Sequence, residues 1–335
     1  DSLDVSSDLS YNGESVAGTL NAVLEKLQTH EITVRNINLQ SVADGEGFHN
    51  QLEIKVDQDL RSDIAFSVIP GTDLKVVMPH MELNYKDINW VGYTDTLSYD
   101  SQANDLQVPG ITFESGPQSI KISGHMVDTL SVGIDMAIER LDLGSLPLDS
   151  IVPTNISGMA DGFFSLKGKP QYPQFSSDLL VSGFQMDTLM LDSIHIQAAY
   201  AENQLISEAS ITGYNQRLLQ VNGQIPMHLS LTDSVTLLKN DDRLLIFAHA
   251  DLKDLSFFRS FLPSGLQIDG ITGLKLDVRN TIANPNFSGS MTFSEGKLSY
   301  PAYGVNYRNV ILNGKFDQRH LLIDTMWVES GNGSL

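Results

Sequence analysis

The sequence predicts an all-β protein made of antiparallel strands, and three observations carry that expectation. Apolar and polar residues alternate with period two over most of the chain, as in Leu52-Glu53-Ile54-Lys55-Val56 and Val132-Gly133-Ile134-Asp135-Met136. Turn signals such as Asp44-Gly45, Pro70-Gly71, Pro109-Gly110 and Gly116-Pro117 punctuate these runs. The long helical patterns that parallel crossovers need are largely missing. Strict alternation gives each strand one apolar and one polar face.

In chain order, residues 1–12 are polar and read as a frayed end or a first edge strand. Over Ser15–Gln28 the period changes. Val16, Leu20, Val23, Leu24 and Leu27 recur at helical spacing, with Ala17 and Ala22 favouring the same state. One amphipathic helix is expected there, capping a sheet end, and residues 1–30 are set apart as an N-terminal segment. From residue 31 onward period two returns, in Ile64-Ala65-Phe66-Ser67-Val68, Met81-Glu82-Leu83-Asn84-Tyr85 and Ile120-Lys121-Ile122. Leu255, Phe257, Phe258, Phe261 and Leu262 cluster before Pro263 and suggest a short helical plug against a sheet end.

An internal repeat marks the second half. Gly158 and Gly270 recur at the same offset as Pro173-Gln174-Phe175 and Pro285-Asn286-Phe287. Repeat-like units are expected over about 138–226 and 250–335, within one continuous β-body over 31–335.

Composition narrows function. Formal net charge is −20, from 41 acidic and 21 basic residues. This argues against nucleic acid and against lying flat on an anionic membrane. There is no cysteine, so thiolate sites and disulfides are excluded. The eight histidines are scattered, no nucleophile elbow or phosphate-binding loop is present, and the carboxylates alternate outward. No enzymatic activity, metal or cofactor is expected. No apolar run reaches membrane-spanning length. The chain begins at Asp1 and reads as a piece of something longer, whose anchor or secretion signal lies elsewhere.

What remains is the apolar face. A sandwich would close these stripes on one another; a sheet curled into an open trough would keep them for a greasy occupant. The lining residues expected for such a trough are Leu52, Ile54, Val56, Val132, Ile134, Met136, Leu274, Leu276, Val278, Met291 and Phe293.

The last repeat unit carries a recognisable pattern. Gly270, Leu274, Leu276, Pro285, Phe287, Gly289, Gly296, Leu298, Pro301, Gly304, Ser330, Gly331 and Gly333 resemble the repeat of the TamB family (the TamB component of the translocation and assembly module) within the AsmA-like group. The unit at 158–225 departs from it, with Ser177 in place of the glycine and no Pro-x-x-Gly step. The resemblance covers roughly the last 200 residues. It implies an elongated, curled antiparallel sheet forming a U-shaped hydrophobic trough in the periplasm of a Gram-negative cell, anchored in the inner membrane. It implies phospholipid acyl chains as cargo between the two membranes. The alternative it implies is a scaffold for outer-membrane β-barrel assembly with a TamA- or BamA-type partner.

Overall fold

The computed structural model describes residues 3–28, 33–56, 60–85, 88–146, 156–187, 189–213, 216–253, 255, 262–263, 265–331 and 333–334. These residues are nearly all antiparallel β-structure, in twenty-two strands. Two compact units are present, Asp1–Pro147 with Phe163–Pro170, and Leu148–Gly162 with Gln171–Leu335.

The first unit runs β1 (Leu3–Tyr11), β2 (Val16–Gln28), β3 (Thr33–Asp44), β4 (Phe48–Lys55), β5 (Leu60–Ile69) and β6 (Asp73–Tyr85). It continues through β7 (Ile88–Thr94), β8 (Leu97–Asp100), β9 (Asp105–Ser115), β10 (Gln118–Val127) and β11 (Ser131–Asp142). Successive strands pair as a meander, except that the short β7 and β8 share one place between β6 and β9. Strand β12 (Ile156–Lys169) holds the boundary between the units. The second unit contains β13 (Tyr172–Met186), β14 (Leu189–Ala201), β15 (Gln204–Gly213), β16 (Gln216–Pro226), β17 (Arg243–Leu252) and β18 (Gln267–Thr281). It ends with β19 (Asn284–Tyr300), β20 (Val305–Gln318), β21 (His320–Ser330) and β22 (Gly333–Ser334), and β13 to β22 also pair in sequence.

The helix expected over Ser15–Gln28 is instead strand β2, paired with β1 and β3. Val16, Leu20 and Leu24 are four apart, a spacing that both periods accommodate. The intervening residues decide. Val16, Gly18, Leu20, Ala22 and Leu24 are half-buried, whereas Ala17, Thr19, Asn21, Val23 and Glu25 are exposed. Gly18 costs a helix interior about 1 kcal/mol, and β3 sets Ala43, Ser41, Leu39 and Ile37 opposite the half-buried set. Tertiary pairing overrides local propensity. The plug expected around Phe257, Phe258 and Phe261 lies outside the described residues. Leu255 is described and buried at 3% exposure.

The repeat has a backbone counterpart. Gly158 in β12 and Gly270 in β18 adopt φ of 143° and 148°, a region open to glycine. Pro173 and Phe175 open β13 as Pro285 and Phe287 open β19.

A closed core exists in the second unit. Leu189, Leu191, Leu218, Ala250, Leu252 and Leu255 are buried together, with Phe184, Met186, Ile194, Ile211, Leu219, Ile268, Leu274 and Phe293 packed against them. These residues gather at one end of their strands and hold the sheet's neighbours in place there.

Candidate functional site

Directly opposed residues in a sheet point to the same face. Following the register of the first unit from strand to strand therefore traces rows on one face. One row runs Val5, Ala22, Leu39, Leu52, Ile64, Met81, Gly92, Phe113, Ile120 and Ile138. No polar side chain interrupts it. Its members are mostly half-buried, with Val5 exposed and Met81 and Gly92 buried. At the strand spacing of the sheet it extends about 43 Å.

The second unit has two such rows. One is Leu179, Ile196, Ala209, Val221, Ala248, Leu276, Gly289, Phe316 and Leu321; the other is Val181, Ile194, Ile211, Leu219, Ala250, Leu274, Met291, Gly314 and Ile323. Both cross from β13 to β21 without a polar member. Beyond them, Leu298, Tyr307, Val310, Met326 and Val328 line a hollow of about 530 Å³ at β19–β22.

The expected lining residues all fall on these faces. Leu52 and Ile54 of β4, with Val56 just beyond it, share one face and are half-buried. Val132, Ile134 and Met136 oppose Met126, Gly124 and Ile122. Val132 is buried, while Ile134 is 38% exposed. Leu274, Leu276 and Val278 oppose Ala250, Ala248 and Ile246 on one side, and Met291, Gly289 and Phe287 on the other. Phe293 opposes Thr272 and Leu312 and packs on the closed core with Leu274. Sequence reading did not select Leu39, Ile64, Met81, Ile120, Ile196 or Val221. The alternation that selected Leu52 and Ile54 is present around each of them, but register is needed to align one strand with the next.

The other face carries the charged pairs, among exposed apolar side chains such as Val42, Tyr93 and Ile206. Asp178 accepts hydrogen bonds from Gln197 at 2.6 Å and pairs with His195 at 2.7 Å. Those contacts, Gln197 first, hold its carboxyl below the usual range. Asp135 is likewise lowered, chiefly by the hydroxyl of Ser165. Among the described residues, no three His, Asp or Glu side chains converge as metal ligands would.

The apolar face is open at its first strand. Large apolar side chains stand open, including Leu3, Val5, Leu9 and Tyr11 along β1. The rows give each unit long apolar strips that cross its strands. No protein-family model, characterised protein or solved structure matches this chain.

Proposed function

We propose that this chain carries phospholipid acyl chains along its apolar sheet face, as one stretch of a bridge between the two membranes of a Gram-negative envelope. In this reading the face turns inward as a U-shaped trough within the periplasm. The observation that supports it most is the set of rows running across the strands without a polar break, from Val5 to Ile138 and from Leu179 to Leu321.

Each methylene left in water costs about 0.8 kcal/mol, so a chain of about fifteen faces on the order of 12 kcal/mol in bare solvent. A strip of aliphatic side chains removes most of that cost while leaving the headgroup wet. Rows of similar residues also suit movement. Neighbouring positions offer a tail nearly equal burial, so no single site holds it. Carriage of this kind needs no acid, base or metal.

The test is mass spectrometry of lipid extracted from the purified chain, alongside native mass spectrometry of the complex. Phospholipid is expected to co-purify in stoichiometric or greater amount. A chain that purifies free of lipid and takes up none from vesicles would remove this reading.

A further inference from the structure

His49 of β4 is held at both ring nitrogens. Its Nε2 lies 2.9 Å from Asp44 Oδ2 at the end of β3, and its Nδ1 lies 2.8 Å from the hydroxyl of Ser67 in β5. Among the described histidines, no other is bonded to side chains at both nitrogens. An ionised carboxylate only accepts, so Nε2 carries the proton and Nδ1 accepts from the Ser67 hydroxyl. Asp44 is kept ionised, its carboxyl lowered by the backbone N–H of Glu46, then by His49 and the N–H of Gly47. Its Oδ1 takes those two N–H groups at 3.0 and 3.1 Å, which leaves Oδ2 for the ring.

A hydroxyl bonded to an imidazole whose other nitrogen is fixed by a carboxylate is the arrangement that activates a serine nucleophile. The three residues stand on successive strands, so no motif along the chain announces them.

Register builds a setting around the relay. Val42, His49, Ser67 and Val77 are opposed in turn across β3, β4, β5 and β6. They stand on the face opposite that of Leu52 and Ile64. Val42 is 48% exposed and Val77 half-buried, so an apolar acyl group finds a valine on either side of the two reacting side chains. Lys75 is the diagonal neighbour of Ser67, two residues from Val77, a separation that a long side chain spans. It is exposed, and no described carboxylate pairs with it. Its ammonium is placed to meet negative charge developing on a carbonyl oxygen at Ser67.

We propose that Ser67, His49 and Asp44 form an acyl-transfer site for carboxylic esters of short apolar acids. The Ser67 oxygen attacks the ester carbonyl carbon while its proton passes to His49 Nδ1. The bond to the alcohol oxygen breaks, and that oxygen leaves with the proton from His49. Water then attacks the acyl group on Ser67 and gives a proton to His49. The acid departs as Ser67 regains its hydrogen. Ser67 and His49 are the catalytic residues, and Asp44 is a positioning residue that acts through His49. The site lies across the sheet from the face read as carrying tails, so neither depends on the other.

The experiment follows hydrolysis of p-nitrophenyl butyrate by the full chain, with peptide mass spectrometry to locate the acyl group. Butyryl is expected on Ser67, and turnover about a hundredfold above that of Ser67→Ala. His49→Ala should fall to a similar level and recover in part with added imidazole. Asp44→Asn should lower kcat with KM unchanged, and Asp44→Glu should restore part of it. His195→Gln, which alters another Asp-bonded histidine, should keep the wild-type rate. A rate that survives Ser67→Ala, or butyryl found on Lys75 or His49 and absent from Ser67, overturns the proposal. An equal loss in His195→Gln would assign the hydrolysis to exposed histidines at large and overturn it too. If Ser67→Ala does not fold, a fluorophosphonate probe on the wild-type chain decides: an adduct on Ser67 supports the site, and an unlabelled Ser67 overturns it.

Discussion

The ring of Phe113 lies against the bare Cα of Gly92, so close that a Cβ there would come within 2.7 Å of it. The two residues are directly opposed in β9 and β7, and the ring fills the place where the long apolar row lacks a side chain. Gly92→Val is expected to displace the ring and destabilise the first unit by about 1–3 kcal/mol. Trp90, two residues away and 4% exposed, reports the change. In a Trp327→Phe background its emission midpoint in urea should move to lower denaturant. An unchanged midpoint would show that the ring does not depend on the glycine.

The two faces of the sheet should respond differently to a buried charge. Ile134 opposes Gly124 on the apolar face, whereas Ile206, at 58% exposure, alternates with the half-buried Leu205 and points to the polar side. Ile134→Asp is expected to lower uptake of a fluorescent acyl-chain probe at least tenfold, and Ile206→Asp to leave it within twofold. A carboxylate among hydrocarbon tails costs several kcal/mol, and one facing water costs little. Equal losses in the two variants would mean that the probe does not read the apolar face.

Much of this is legible in the sequence, and the reasons for the rest are local. Alternation puts Leu52 with Ile54, Val132 with Ile134, and Leu274 with Leu276, each pair on one face of its own strand, because period two allows no other side for them. Strand β2 reads as a helix because Val16, Leu20 and Leu24 satisfy two periods at once, and only the offer of Leu39 and Ile37 across the gap chooses between them. The facing of Lys26, Arg35, Lys55 and Arg61 across β2 to β5 is also invisible in the sequence. Lys26, Arg35, Lys55 and Arg61 are irregularly spaced along the chain, and they align only after the irregularity near Asn36 has set the register. Pairing between strands is a non-local fact that no window of sequence contains.

Two glycines of positive φ, Gly270 and Gly116, are expected to be unequal in their tolerance of alanine. Gly270 has φ 148°, and a Cβ on it would meet the Phe293 ring and stand 3.0 Å from the Ser294 carbonyl oxygen. Gly116 also has positive φ, at 59°, but open space around it. Gly270→Ala should therefore cost about 1–3 kcal/mol, since strain and a backbone clash combine. Gly116→Ala should cost about 1–2 kcal/mol from the left-handed backbone alone. Hydrogen exchange of β18 and β19 measures the first and that of β9 and β10 the second, and a larger acceleration in Gly116→Ala than in Gly270→Ala would reverse the ranking.

Acid should loosen the hairpin of β13 and β14. The Asp178 carboxyl is held below its ordinary value by Gln197 and then His195. A depressed carboxylate contributes stability that is present above its unfolded pKa of about 3.9 and is lost as pH falls through the folded value. Asp44, Asp135 and Asp242 are shifted in the same direction. Protection of the β13–β14 amides is therefore expected to hold as pH is lowered to about 5 and to decline below about 4. Asp178→Asn should flatten the decline in this hairpin while leaving the one around Asp44 and His49 unchanged. A decline equally steep in the variant would assign the acid sensitivity to other groups.

The two tryptophans offer a direct reading of where a tail lies. Trp90 opposes Leu83 on the apolar face of the first unit. Trp327 is 43% exposed, opposes Ile311, and donates its indole hydrogen to Glu329. Its neighbours Met326 and Val328 line the apolar hollow of the second unit, so alternation turns Trp327 to the other side. Phospholipid brominated along its acyl chains quenches a nearby indole at short range, without having to touch the ring. It should therefore quench Trp90, read in Trp327→Phe, far more than Trp327, read in Trp90→Phe. An aqueous quencher should give the opposite order, because Trp90 is buried and Trp327 is open to water. Stronger quenching of Trp327 than of Trp90 by the brominated lipid would place the tails on the polar face, where the apolar rows could not hold them.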